Sequence, residues 1–169
     1  MNGEPILNRV AQSKLITFNL EDYYPEGKRI LLDIKNWLYE GFILREKEFR
    51  MQLEQHDWTQ YQDAFVAIHC SSDAIIPGWA YMLMATKLEP YASKILQGDL
   101  ELLETSLYQS LIEKLDTSDF KDRMVIIKGC TNKPVPPNAY VLITQKLQPV
   151  VKALMYGEAC SSVPLFKKK

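Results

Sequence analysis

Short apolar runs alternate with amphipathic segments in the first third of the chain. Three segments have the apolar character and the flanking turn residues of short strands: Leu15 to Leu20, Arg29 to Ile34 and Phe42 to Arg45. From Glu46 to Gln55, two apolar residues lie one helical turn apart among charges, which predicts a half-buried helix. The N-terminal third is therefore expected to mix short strands with one surface helix.

An internal repeat dominates the rest of the pattern. With an offset of 59 residues, Phe65 to Asp99 aligns with Met124 to Glu158 without a gap, and ten aligned positions are identical. Each copy begins with an apolar strand, passes through a polar loop that contains a cysteine, and enters a helix at a proline. The sequence therefore predicts an α/β fold, with a mixed sheet and a duplicated strand-loop-helix unit, in a single domain over residues 1–169.

Two further features lie within and between the two copies. Tyr91 to Leu96 and Val150 to Tyr156 each follow a helix-ending proline, and their periodicity fits either a short strand or a continued helix. Leu100 to Leu115 has leucines on one stripe and is predicted to be a helix that covers one face of the sheet.

Composition narrows the class of function. Hydrophobic residues make up 47% of the chain, which suffices for a packed core, and the net charge of -1 provides no field that would attract nucleic acid. The longest apolar stretch, Ala74 to Ala85, is far shorter than the roughly 20 residues that span a bilayer. Three cysteines without an extracellular context favour reduced thiols. We therefore expect a cytoplasmic protein whose partners are other proteins or a second copy of itself, with no nucleic acid and no membrane.

The three cysteines are the candidate functional residues. If both repeats supply parallel strands, Cys70 and Cys130 emerge at carboxyl ends of strands, where α/β sheets usually place ligand sites. Cys160 lies in a loop of small residues after an apolar segment. A hydroxyl residue follows each cysteine and could stabilise a thiolate. Three thiolates and one further ligand would suit zinc or an iron-sulfur centre, with Asp73 as the first candidate for that ligand.

The wide spacing of the cysteines leaves other interpretations open. None of the pairs approaches the C-x-x-C pattern of metal sites, and an unpaired cysteine often packs as a small buried hydrophobe. Cys70 beside His69 could instead be a reactive nucleophile of an enzyme or a sulfur carrier. A third hypothesis is an interaction module whose cysteines are buried. His69 and Glu158 are secondary candidates for a fourth metal ligand.

Several strings along nearly the whole chain carry a resemblance to a known family: Asn19 to Gly27, Cys70 to Pro77, Trp79 to Leu83, Ile126 to Cys130, Leu147 to Lys152 and Gly157 to Ser161. In these strings the chain resembles an uncharacterised bacterial family, domain of unknown function 2480. The family pattern includes the three cysteines and Asp73, whereas threonine is usual where this chain has His69, so the resemblance argues against His69 as a ligand.

The resemblance implies no particular reaction. It does imply a link to iron-sulfur cluster assembly, because members are often encoded near proteins of that process. Together with the three similar loops, it makes a metal-binding accessory protein the leading hypothesis. Zinc or an iron-sulfur cluster would be held by Cys70, Cys130, Cys160 and Asp73, and iron-sulfur assembly components would be the protein partners.

Overall fold

The computed structural model of the chain describes residues 15–129 and 132–169, which form two compact units. We call Glu26–Glu104 the continuous unit. The split unit consists of the described residues among 15–25 and 105–169. The expectation of one domain over the whole chain stays a prediction, and each unit is described separately.

The described residues contain seven strands and four α-helices. The strands are β1 (Leu15–Asn19), β2 (Arg29–Asp33), β3 (Phe65–His69), β4 (Lys94–Gln97), β5 (Met124–Lys128), β6 (Ala153–Tyr156) and β7 (Val163–Lys167). The helices are α1 (Glu46–Gln55), α2 (Gly78–Leu88), α3 (Leu100–Lys114) and α4 (Pro137–Leu147). Short 3-10 turns cover Leu20–Tyr23, Ile34–Trp37, Trp58–Tyr61 and Ser118–Phe120. Among the described residues, no helix has both the length and the apolar character needed to cross a membrane.

The continuous unit is built on a three-stranded parallel sheet in the order β2-β3-β4. Its central strand β3 is buried, as expected for a parallel strand with neighbours on both sides. Helix α2 contributes a stripe of buried residues at helical spacing, Ala80, Met84 and Leu88, and α1 contributes Phe49 and Leu53. These residues form one core with the side chains of β3.

The split unit has a four-stranded mixed sheet in the order β1-β5-β6-β7, in which only β7 runs antiparallel to its neighbour. Helix α4 buries Ala139, Ile143 and Leu147 against the side chains of β5. Tyr108 of α3 is fully buried in the same core, and its hydroxyl donates to the Leu20 carbonyl at 3.0 Å. This hydrogen bond satisfies the polar end of a large buried side chain.

The two aligned segments have the same local architecture. Strand β3, helix α2 and strand β4 correspond to β5, α4 and β6, and each pair of bounds differs by 59 residues. Asp63 and Asp122, at equivalent positions, both have left-handed φ angles, 56° and 55°. Their amides donate to the equivalent carbonyls of Tyr91 and Val150. Descent of the two segments from one duplicated ancestor stays a prediction.

The structure confirms the α/β class and the mixed sheet, and it adds a second sheet that is wholly parallel. The segments after Pro90 and Pro149 end in strands rather than in continued helices. The strand predicted at Phe42 to Arg45 is wrong. Glu40 and Gly41 have φ angles of 50° and 75°, and this tight turn limits the local pairing to one bridge between Tyr39 and Ile43.

Candidate functional site

A hydrogen-bonded aspartate fixes the start of the loop after β3, which we call the 70–77 loop. Asp33 ends β2 and lies opposite His69 in the register of the parallel sheet. Its carboxylate accepts hydrogen bonds from the amides of Lys35 at 3.0 Å and Ser71 at 3.1 Å, and from the Ser71 hydroxyl. The carboxyl end of β2 is thereby joined to the beginning of the 70–77 loop.

These contacts change the acidity of Asp33. Burial raises the pKa of its carboxyl group, but the hydrogen bonds from Ser71 and Lys35 and the nearby His69 outweigh burial. The pKa of Asp33 therefore lies below its ordinary value of 3.8. A carboxyl group whose pKa is lower in the folded state stabilises that state above its unfolded pKa, and the stabilisation is lost as pH falls through the folded pKa.

We predict that Asp33→Asn removes an acid transition at Ser71. In the wild type, the amide proton shift of Ser71 should be constant near neutral pH and change as pH falls below 3.8 through the lowered pKa of Asp33. Amide NMR spectra recorded against pH measure this. Asp57→Asn is the matched control, because Asp57 caps another turn of the same unit through the Thr59 amide. A Ser71 transition that persists in Asp33→Asn would contradict the assignment.

Cys70 is half-buried at the start of the same loop. Its Sγ atom lies 3.3 Å from the Ser72 hydroxyl oxygen, and the side chain packs against the core of the continuous unit. Burial, and then the electrostatic effect of Cys70, raise the pKa of the Tyr81 phenol. The hypothesis of one reactive thiol at Cys70 is not tested by this geometry and stays a prediction.

The other predicted site residues have different surroundings. Cys160 is exposed in the loop after β6, and neither it nor Cys70 is buried as the interaction-module hypothesis supposed. Glu158 pairs with Lys128 at 3.1 Å. Cys130 lies outside the described residues.

The predicted metal-binding function is wrong. Within residues 15–129 and 132–169, no group of three or more His, Cys, Asp or Glu side chains is placed to hold a metal ion. The described neighbours of Cys70 explain this, because its sulfur contacts a serine hydroxyl and apolar core residues. Asp73 lies farther along the loop, where it lines a groove with mainly apolar side chains.

That groove is the most distinctive surface of the continuous unit. We call it the Phe42–Ile75 groove; its volume is about 600 Å³, and its lining residues are Phe42, Ile43, Leu44, Glu46, Asp73, Ala74, Ile75, Pro77 and Trp79. Two segments form its walls. One is the turn before α1 and the other is the second half of the 70–77 loop.

Large apolar side chains of the groove are unusually exposed. Ile75 is 93% exposed, Phe42 59% and Ile43 53%. Single exposed apolar residues are common on protein surfaces, but several on one concave surface mark interaction sites. The 70–77 loop also separates two adjacent isoleucines, because Ile76 packs against the core while Ile75 faces solvent.

Contacts of the Trp79 ring support the base of the groove. The Trp79 ring contacts the fully buried Phe49 ring edge to face, with centroids 6.0 Å apart. The Arg50 guanidinium lies 5.4 Å from the centroid of the Trp79 ring and also pairs with Glu46 at 2.9 Å. The anchored start of the 70–77 loop and this aromatic contact hold both sides of the groove in place.

The groove has an acidic character. Glu46 and Asp73 line it, and its lining residues, all in the described part of the chain, include no lysine or arginine. Arg50 offsets part of the charge of Glu46 through their ion pair. The site therefore combines exposed apolar side chains with carboxylates, a surface that complements an apolar segment bearing positive charge.

The groove was not predicted from the sequence, although two features of the sequence point to it. Phe42 and Ile43 follow Gly41, and Ile75 precedes Pro77, so each apolar pair lies beside a turn residue rather than inside a long strand or helix. Apolar residues in such loops are candidates for an exposed interaction surface.

Comparison with known proteins gives one match. No curated protein and no solved structure matches the chain. A family model described as "Protein of unknown function (DUF2480)" matches residues 4–168, which is nearly the whole chain. The chain therefore belongs to the DUF2480 family.

Proposed function

We propose that this protein binds a segment of another protein in the Phe42–Ile75 groove. The observation that carries the proposal is the exposure of Ile75, 93%, beside the exposed Phe42 and Ile43 on one concave surface. The expected partner segment carries apolar side chains that fill the groove and a flanking lysine or arginine that meets Glu46 and Asp73.

Burial of the apolar side chains makes the main favourable contribution to the free energy of binding. Fully burying one large aliphatic or aromatic side chain contributes about 1.5–3 kcal/mol. Ile75 and Phe42 are both exposed enough to gain much of this on binding. Binding also removes the partner's own apolar side chains from water, which adds to the favourable free energy of binding.

The charge of the groove favours particular partner segments, and its ordered walls lower the entropy cost of binding them. A lysine or arginine beside the apolar anchors would meet Asp73, whereas an acidic flank would be repelled by it. The groove walls are already ordered by the Asp33–Ser71 contacts and by Trp79 on Phe49. Binding to an ordered site costs less conformational entropy than binding to a mobile loop.

The proposal includes a cytoplasmic location. Cys70 and Cys160 are free cysteines, and unpaired thiols are typical of reducing compartments.

The test is selection of a phage-displayed peptide library on the full-length protein, followed by affinity measurements on the enriched peptides. We expect sequences with paired apolar residues next to lysine or arginine. Ile75→Ser should weaken their binding about tenfold to a hundredfold, the equivalent of one lost apolar burial. Met82→Ser is the matched control, since Met82 is exposed in the same unit but does not line the groove.

Two results would contradict the proposal. One is a set of enriched peptides whose affinity is the same for the wild type and for Ile75→Ser. The other is a dimer in sedimentation velocity that dissociates in Ile75→Ser, because a second copy of the chain would then occupy the groove. Ile75 makes too little contact with the protein for its replacement to impair folding.

A further inference from the structure

The split unit contains a second concave site, unrelated to the Phe42–Ile75 groove. It is a cavity of about 390 Å³ lined by Ile127, Tyr140, Thr144, Tyr156 and Leu165. The lining comes from the ends of β5 and β6, from two residues one turn apart on α4, and from the edge strand β7. Small-molecule sites usually have volumes of about 300–1,000 Å³, so this cavity is large enough for a compact ligand.

Two tyrosine rings define the shape of the cavity. The rings of Tyr140 and Tyr156 meet edge to face, with centroids 5.8 Å apart and an angle of 79° between their planes. Tyr156 and Leu165 are exposed, whereas Ile127 is buried, so the cavity extends from solvent to the sheet. Aromatic side chains favour offset-stacked and edge-to-face neighbours, and this pair offers both a ring face and a ring edge to a ligand.

Gly129 leaves room for the Tyr140 phenol. A Cβ atom at Gly129 would overlap the Tyr140 hydroxyl, so the phenol occupies space that only glycine leaves open. The aligned position in the continuous unit is Cys70, which has a side chain there. The tyrosine ring is therefore held against the backbone as a wall of the cavity.

The cavity is specific to the split unit. The positions aligned with Tyr156 and Thr144 are Gln97 and Ala85, neither of which is aromatic or hydroxylated. Leu165 lies on β7, and the described strands of the continuous unit include no counterpart of β7. The cavity is therefore not a consequence of the architecture that the two segments share.

The lining favours a neutral ligand. Among the described residues, none that lines the cavity is charged at neutral pH, and Lys128 and Glu158 pair with each other at 3.1 Å. The Thr144 hydroxyl already donates to the Tyr140 carbonyl at 2.7 Å. Burying a charged group among these apolar walls would be costly, because no opposite charge lines them.

We propose that this cavity binds a neutral, planar aromatic molecule of about the size of an indole ring. Such a ligand would lie against the Tyr140 and Tyr156 rings and contact Ile127 and Leu165. The Tyr156 hydroxyl is the polar group that could recognise a single donor or acceptor on its edge.

The experiment is a titration of the full-length protein with indole, followed through the methyl signal of Ile127 by NMR. We expect a saturable shift in the wild type and at least about tenfold weaker binding in Tyr156→Gln, which installs the residue of the aligned position and removes one aromatic wall. Val141→Ser is the matched control, because Val141 is exposed on the same helix and does not line the cavity.

The proposal is overturned if the Ile127 signal shows no saturable shift at millimolar indole, or if Tyr156→Gln binds indole as tightly as the wild type. Circular dichroism verifies that the variant is folded, and Leu165→Ser provides a second test at an exposed position of the lining. None of these variants touches the Phe42–Ile75 groove, so this inference and the proposed function fail independently.

Discussion

Glu104→Ala is expected to lower the free energy of unfolding by about 3–5 kcal/mol, because it removes the carboxylate that pairs with a largely buried arginine. Glu104 Oε1 accepts from Arg29 Nε at 2.7 Å and Oε2 accepts from Nη2 at 3.2 Å, a two-point contact. The two side chains are only 13% and 11% exposed. Arg29 also donates to the Gly27 carbonyl and lies 5.1 Å from the Phe65 ring centroid, so it cannot turn to water without losing these contacts.

Urea unfolding, followed by circular dichroism, measures this effect. Glu54→Ala is the control, because Glu54 forms an exposed pair with Lys87 and its loss should cost less than about 1 kcal/mol. The double variant Arg29→Met with Glu104→Leu should regain most of the stability, since it removes both buried charges together. Equal decreases in the free energy of unfolding for Glu104→Ala and Glu54→Ala would contradict this prediction.

Phe49→Ala is expected to lower the free energy of unfolding by a similar amount, about 3–5 kcal/mol. Phe49 is fully buried, contacts Trp79 edge to face and joins α1 to the core of the continuous unit. Its loss leaves a cavity and removes the support of the groove base, so peptide binding should weaken as well. Tryptophan fluorescence, to which Trp79 contributes, should change for the same reason.

Met51→Ala is the control for Phe49→Ala, because Met51 is exposed on the same helix. Its effect on stability should stay within about 0.5 kcal/mol. Both variants can be compared by urea unfolding and by affinity for the selected peptides. A Phe49→Ala protein as stable as Met51→Ala would show that α1 does not depend on this contact.

Several helices and strands of this fold could be predicted from the sequence. The α1 helix has the predicted bounds because two apolar residues one turn apart need a buried face, and the structure buries both of them fully. The repeat also predicted where β3 and β5 lie, since identical apolar positions at one offset imply the same strand in both segments. These features depend on residues that are near one another in the chain.

The pairing of strands that are distant in the sequence could not be predicted. Strand β1 pairs with β5, more than a hundred residues later, whereas β2 pairs with β3 in a separate sheet. Apolar patterning shows that both β1 and β2 are strands, but it carries no information on which partner each one selects. A single mixed sheet was therefore expected where the structure has two.

The wrong prediction of a metal-binding function also depended on long-range proximity, between cysteines that are distant in the sequence. Cys70 aligns with Gly129, and Cys130 aligns with Ser71, so the two cysteines occupy positions one residue apart in the shared register. The repeat therefore does not align the two cysteines with each other. The groove was not predicted because residue type does not distinguish exposed from buried apolar residues in a loop. Ile75 is exposed, whereas the adjacent Ile76 packs against the core.

The most direct test of the protein-binding groove is a methyl NMR titration of the isoleucine-labelled protein with a selected apolar and basic peptide. We predict saturable shifts of the Ile43 and Ile75 methyl signals, no shift of Ile127, and loss of the Ile43 shift in Ile75→Ser. Unchanged Ile43 and Ile75 signals at a peptide concentration that saturates binding would contradict the account, because the peptide would then bind elsewhere.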